Sequence, residues 1–288
     1  MGYAVVNGAR LAWQQMGEGP DLILLHGVAA SRAFWFPAAM ALKARFRITL
    51  FDLRGHGYSE RTASGYASQD IGRDLLGLMD ALGIASADIV GHSYGGGAAL
   101  EAAVLAPSRV GRLALLDTRV QQLQPQMRLQ DLGELSPFEI AVLDRAGGPA
   151  PLEGETQIGF RFLEAAARQK VAGQEFSGSD DFVPFGEGGG ASKTANAWIR
   201  LLDETRAREE FCLPGATEVQ IGALRVPTLL MYGERSRCWP SARALSRLMP
   251  HARLVEIPRA GHFFPLSEPK LTLGYLGAFL ESPLELPA

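Results

Sequence analysis

Cysteine is nearly missing from this 288-residue chain, which has only Cys212 and Cys238. They stand in neither CxxC nor Cys/His spacing, so a disulfide framework and a structural metal site have no support, and both are expected to be free thiols. Long apolar runs are also missing. No stretch approaches the ~18 apolar residues of a membrane span. The N-terminal MGYAVVNGARLAW lacks the basic and long apolar segments of a secretory leader, so a cytoplasmic protein that engages no membrane is expected. Nor does either sign of charge dominate: 28 Lys and Arg against 31 Asp and Glu leave a net charge of −3. No basic run offers a footprint, so nucleic acid is not an expected partner. Internal repeats and long low-complexity tracts are absent too.

What is present suits one large α/β domain with an insertion, since 47% of residues are hydrophobic and a chain of this length can bury a sizeable core. Short apolar or alternating runs bounded by turn residues read as strands at 3–6, 11–15, 22–25, 48–51, around 89–90, and at 113–116. Apolar spacing of three to four predicts helices over 33–44 and 69–82, and a further helical run, 95–106, follows a serine at 93. The resulting β, α, β, α order from Leu22 onward argues for a mostly parallel sheet with helices on both faces, begun by an antiparallel hairpin. After Asp117 the rhythm stops. Residues 119–224 show helical runs at 158–170 and 193–210 and no convincing buried strand. Strands return at 227–233 and 252–258, with helices at 241–249 and 270–281. The expected division is therefore a core of 1–118 and 225–288 around a helical insertion of 119–224.

The stretch GHSYGGG, Gly91 to Gly97, crowds glycine around one serine at the junction of a predicted strand and helix. Gly91, Ser93 and Gly95 complete the GxSxG pattern, whose glycines allow a sharp strand-to-helix turn that lifts the serine above the sheet edge. In this context the chain resembles the α/β-hydrolase fold family, in its serine-nucleophile branch. Three further stretches carry the resemblance in the family's order. Leu25-His26-Gly27-Val28 is similar to the loop that supplies an oxyanion-hole N–H, which implies that the Val28 and Tyr94 N–H groups face the developing oxyanion. Asp52 to Ser59, DLRGHGYS, resembles the family's turn after the fourth strand, where His56 reads as structural. His262, in RAGHFFPLSEP, stands where the family carries its general base. Ser93 excludes the usual chemistry of the aspartate-nucleophile branches.

One member of the family's triad is out of place. The family usually carries an Asp three residues after the glycine that ends the seventh strand, and here that position is Ser236. Asp117, at the end of the sixth strand, is the expected relocated acid. Glu234 is the alternative, and a serine–histidine pair without a carboxylate is the third reading.

By the same resemblance, the insertion covers the serine as a helical cap. Trp198-Ile199-Leu202 and Phe160-Leu163-Ala167 form apolar stripes at helical spacing and read first as packing. Trp35, Phe36, Trp198 and Phe263 are the candidate pocket residues. Two other patterns carry nothing: GEGGGASKT, 186–194, has Ser192 where a phosphate loop needs glycine before the lysine, and Cys238 has no evident base to activate it. The expected function is cofactor-free, metal-free hydrolysis of a small or medium carboxylic ester, lactone or thioester with an apolar portion, through an acyl-Ser93 intermediate. Acyl transfer, cyclisation or C–C bond hydrolysis in the same pocket remains open. So does a ligand-binding role without catalysis. Oligomeric state is not legible.

Overall fold

The computed structural model describes residues 1–148, 152, 154–174, 185 and 189–282. Eight strands form one sheet: β1 (Gly2–Val6), β2 (Ala9–Met16), β3 (Asp21–Leu25), β4 (Arg47–Phe51), β5 (Ala87–His92), β6 (Val110–Leu116), β7 (Thr228–Gly233) and β8 (Arg253–Ile257). Their spatial order is β1-β2-β4-β3-β5-β6-β7-β8. β1 and β2 make an antiparallel hairpin around Asn7 and Gly8, both at positive φ, as a tight two-residue hairpin turn requires. β2 is antiparallel to β4, and every later pairing is parallel.

Successive side chains of a strand point to opposite faces, and this alternation sorts the apolar residues into two cores. Leu22 and Leu24 pack with Leu229 and Met231 on one face, while Ile23 and Leu25 pack with Leu230 and Tyr232 on the other. All residues of β5 and β7 are buried, as befits parallel strands covered on both sides. The covering helices are α1 (Phe36–Leu42), α2 (Ser68–Ala81) and α3 (Tyr94–Leu105) in the first part of the chain. Between β6 and β7 come α4 (Pro137–Arg145), α5 (Ile158–Val171), α6 (Gly189–Glu204), α7 (Ala207–Glu210) and α8 (Glu218–Gly222). The last are α9 (Trp239–Leu248), α10 (Phe264–Ser267) and α11 (Pro269–Glu281). Among the described residues, no sheet strand lies between β6 and β7.

Two helices differ from the sequence expectation. The run at 33–44 divides into a 3₁₀ turn, Arg32–Trp35, and α1, with Pro37 in the first turn, where its missing N–H costs nothing. The run at 193–210 begins earlier, at Gly189, and breaks at Thr205-Arg206. There the Arg206 N–H donates to Ala63 O and Thr205 Oγ accepts from the Ala207 N–H, which starts α7 as a separate turn. The glycine-rich stretch 186–194 lies partly outside the described residues, and its described part is the first turn of α6. No described helix is long and apolar enough to cross a membrane.

Candidate active site

The parallel strands end at one edge of the sheet, and the loops that leave them there bring together Gly27, Ser93, Asp117, Ser236 and His262. Ser93 sits between β5 and α3 at φ 54° and ψ −123°, a conformation that side-chain-bearing residues adopt at a cost and hold only when their surroundings enforce it. Enforcement comes from two hydrogen bonds, Ser93 N–H to Leu116 O at 2.9 Å and Gly96 N–H to Ser93 O at 3.0 Å. The flanking glycines make the turn sterically possible. A Cβ at Gly91 would lie under 3.0 Å from the Gly95 carbonyl, one at Gly95 under 3.0 Å from the Leu25 and His26 carbonyls, and one at Gly96 against Thr118 Oγ1. Gly97 has nothing closer than 3.9 Å, so the fourth glycine answers to no such contact.

His262, in the loop between β8 and α10, places Nε2 3.0 Å from Ser93 Oγ and Nδ1 2.8 Å from Asp117 Oδ1. A carboxylate only accepts, so Nδ1 carries the proton and the bare Nε2 accepts from the serine hydroxyl. Asp117 follows β6, is fully buried, and takes two more donors, Ser236 Oγ to Oδ1 at 2.6 Å and Gly233 N–H to Oδ2 at 3.0 Å. The three donors hold the acid's plane and leave one oxygen facing the imidazole. Glu234 is occupied elsewhere: it is exposed and accepts the Arg259 N–H.

A second layer of histidines stiffens these groups. His92 is buried beneath the elbow and donates Nε2–H to the backbone carbonyl of His262 at 2.9 Å, with its ring stacked on Phe34. His26 accepts the Leu53 N–H at Nε2 and donates Nδ1–H to Gly27 O, tying the loop after β3 to the turn after β4. His56 donates Nδ1–H to Arg54 O. Burial pushes all three below the usual histidine range, His92 far below and His56 to about 3, so each is neutral near pH 7. Gly27 lies against Ser93, since a Cβ there would stand 3.0 Å from the serine Cβ. Among the described residues, neither the Val28 N–H nor the N–H of Tyr94, the first residue of α3, donates to a loop or turn acceptor. Both residues border the space in front of Ser93.

That space is a cavity of about 1130 Å³. Its floor is Gly27, Val28, Ser93, Tyr94 and His262, and its far wall comes from α4, α5 and the loop after β7.

A family model for the alpha/beta hydrolase fold matches residues 20–269. The chain belongs to the alpha/beta hydrolase fold family. Among curated proteins, the hydrolase is 26% identical to a 2-(acetamidomethylene)succinate hydrolase of Mesorhizobium japonicum, over 93% of this chain and 91% of that one. It is 41% identical to a putative carbamate hydrolase, RutD, of Caulobacter sp. over a shorter stretch, 33% of this chain and 36% of that one. In structure it is similar to the enol-lactonase from Burkholderia xenovorans LB400, with a TM-score of 0.67 and 23% identity over 98% of this chain and all of that one. The carboxylesterase CesB from Bacillus subtilis gives a TM-score of 0.70 and 21% identity over 97% and 90% of the two chains.

Of the four pocket candidates in this hydrolase, only Phe263 lines the cavity. Trp35 is buried in the opposite core with Leu22 and Leu24, because the 3₁₀ turn before α1 directs it beneath the sheet. Phe36 begins α1 at 37% exposure and does not reach the cavity. Trp198 is buried too, stacked on Phe211 and close to His56, where α6 packs onto the turn after β4. Phe160 and Leu163, read first as packing, do border the cavity, as do Phe34 and Phe211.

The Asp117, Cys238 and His262 ligand atoms lie within 4.8 Å of one another, yet they make a poor metal centre. The carboxylate is already committed to three donors, and burial pushes the Cys238 thiol far above its usual range, away from the thiolate a metal needs. Sequence reasoning passed over Ser236 as a donor, together with His92. The serine at the usual acid position was the available signal for the first. The second had none, because its partner His262 is 170 positions away.

Proposed function

We propose that this alpha/beta hydrolase cleaves a carboxylic ester, lactone or thioester through an acyl-Ser93 intermediate. The observation that carries the reading is the unbroken hydrogen-bonded line Ser93–His262–Asp117 at the floor of the cavity. Ser93 Oγ attacks the substrate carbonyl carbon while His262 Nε2 takes its proton. Asp117 keeps the imidazole in the correct tautomer and stabilises the imidazolium that forms. The Val28 and Tyr94 N–H groups receive the oxyanion of the tetrahedral intermediate. As the intermediate collapses, His262 returns the proton to the leaving alcohol or thiol. Water then repeats the sequence, releasing the acid and freeing Ser93. This scheme needs only the chain's own residues, water and a small-molecule substrate.

Residues 119–224 act as a cap over the serine in this reading, with Phe160, Leu163 and Phe211 receiving the apolar portion of the substrate. Two of the relatives, a 2-(acetamidomethylene)succinate hydrolase and a putative carbamate hydrolase, are hydrolases, which agrees with a hydrolytic reading. Covalent labelling by a fluorophosphonate, read by intact mass, tests the proposal. Rapid single labelling of wild type that vanishes in Ser93→Ala is the expected result. Labelling no faster than that of a surface serine would leave the nucleophile unactivated and turn attention to ligand binding.

A further inference from the structure

Among the described residues, three arginines border the cavity, and two of them have their charge answered. Arg237 pairs with Glu139, Nη2 to Oε2 at 2.8 Å, and Arg235 is exposed to water. Arg119 is answered by neither. It follows Asp117 by two residues, and the backbone on both sides is pinned. The Tyr232 hydroxyl donates to Thr118 O at 2.8 Å, and the Val120 N–H donates to Ser241 Oγ at 3.0 Å. Its guanidinium is held by neutral acceptors alone, Nε to Gln124 O at 2.9 Å and Nη1 to Gln157 Oε1 at 2.8 Å. Gln157 is itself braced by Pro125 O. Nη2 is buried and finds no acceptor among the described residues.

The acids of the cavity wall are engaged or exposed. Glu101 accepts the Ala216 N–H, Asp131 the Arg128 N–H, Glu139 pairs with Arg237, Glu234 accepts the Arg259 N–H, and Glu134 faces water. Burial draws the Arg119 guanidinium below its ordinary value, and the groups that oppose this are the Cys238 and Cys212 thiols rather than a carboxylate. A partly buried cation without an anionic partner among the described residues is costly, and the unpartnered Nη2 is left to give a carboxylate a charge-assisted hydrogen bond.

We infer that Arg119 forms an anion subsite of the cavity and that the substrate acylating Ser93 carries a carboxylate which completes this guanidinium. The inference rests on the acyl-enzyme reading of Ser93 for its place in a reaction, but not for the binding itself. A carboxylate held there adds an anchor beside the apolar one and selects against neutral esters of the same size.

The test is competition against a neutral alkyl fluorophosphonate that labels Ser93, with glutarate dianion or neutral glutaramide as competitor. Wild type, Arg119→Gln and Arg119→Lys are compared, each with its own uninhibited rate as reference. In wild type, glutarate should inhibit at a concentration about tenfold or more below glutaramide, the discrimination expected of one charge-assisted pair. Arg119→Gln should erase the difference, and Arg119→Lys should retain part of it. Equal inhibition by the two competitors in wild type, or a preference for glutarate that survives in Arg119→Gln, overturns the subsite. If Ser93 of wild type does not label, the hydrolase reading has failed, and the subsite is judged by thermal shift instead. A rise in Tm with glutarate in wild type that is absent from Arg119→Gln upholds it, and equal shifts overturn it. Thermal unfolding also checks the variants' folding. Should Arg119→Gln not fold, the wild-type comparison of glutarate with glutaramide decides alone.

Discussion

Ser236 donates its hydroxyl to Asp117 Oδ1 over 2.6 Å, on the same oxygen that receives His262 Nδ1 at 2.8 Å. The serine thus stands at the position where the sequence resemblance led one to expect the acid, and it supports a carboxylate that arrives from the neighbouring strand. β6 and β7 are adjacent in the sheet, with Leu116 paired to Met231, so the loops that follow them leave the same edge side by side. A carboxylate from either loop can meet the same imidazole.

Asp117→Asn should lower kcat/KM on a 4-nitrophenyl ester by about 10⁴, because the amide can donate to Nδ1 and stabilise the tautomer with its proton on Nε2, facing Ser93. Glu234→Gln should change it less than about threefold, since that side chain caps Arg259 and not the imidazole. A large loss in Glu234→Gln with little in Asp117→Asn would reverse the assignment of the acid.

Ser236→Ala removes one of three donors to a fully buried carboxylate. The expected cost is about 1–2 kcal/mol, a drop of roughly 5- to 30-fold in kcat/KM. Steady-state kinetics should show it chiefly in kcat, because Ser236 reaches the reaction only through Asp117 and His262. An equal rate in Ser236→Ala and wild type would mean that Gly233 N–H and His262 suffice to hold the acid.

Gly95→Ala should destabilise the protein by about 3 kcal/mol or more, for its Cβ would press on the consecutive backbone carbonyls of Leu25 and His26 at the end of β3, which cannot move independently. Gly97→Ala, only two positions on, meets nothing closer than 3.9 Å and replaces glycine within a helix, so it should be neutral or stabilising by up to about 1 kcal/mol. Chemical denaturation of both variants measures the contrast, and similar losses at the two sites would refute the packing argument.

Acid should destabilise this protein in part through its buried histidines. His56 titrates at about 3 when folded, against an ordinary value of 6.5, so below pH 6.5 the unfolded chain binds a proton that the folded chain refuses. Its contribution is fully present above pH 6.5 and declines as pH falls, by about 2 kcal/mol at pH 5, levelling off only below the folded value. His26 and His92 act with the same sign. His56→Asn, which keeps a donor for Arg54 O, should flatten unfolding free energy between pH 7 and 5 relative to wild type. Parallel curves for the two proteins would show that His56 is not excluded from protonation.

Periodicity and punctuation carried most of the architecture. The alternating runs at 22–25, 48–51 and 227–233 and the GxSxG turn are local patterns, and a strand's two faces or a tight elbow follow from the chemistry of a few consecutive residues. Ser93 and His262 were legible because each sits within such a pattern. Trp35, Phe36 and Trp198 misled for the complementary reason. An aromatic residue near a site in the sequence has no face until its helix is docked, and Trp35 went under the sheet while Trp198 packed onto the turn after β4. Asp117 lies between these cases: its place at a strand end could be read and made it the expected acid, but nothing local decided between it and Glu234. His262 is 145 positions away, and what joins them is the adjacency of β6, β7 and β8, a property of the folded sheet that no local spacing encodes. The same holds for Arg119, whose charge is ordinary in the chain and becomes uncompensated only when burial brings neutral partners around it.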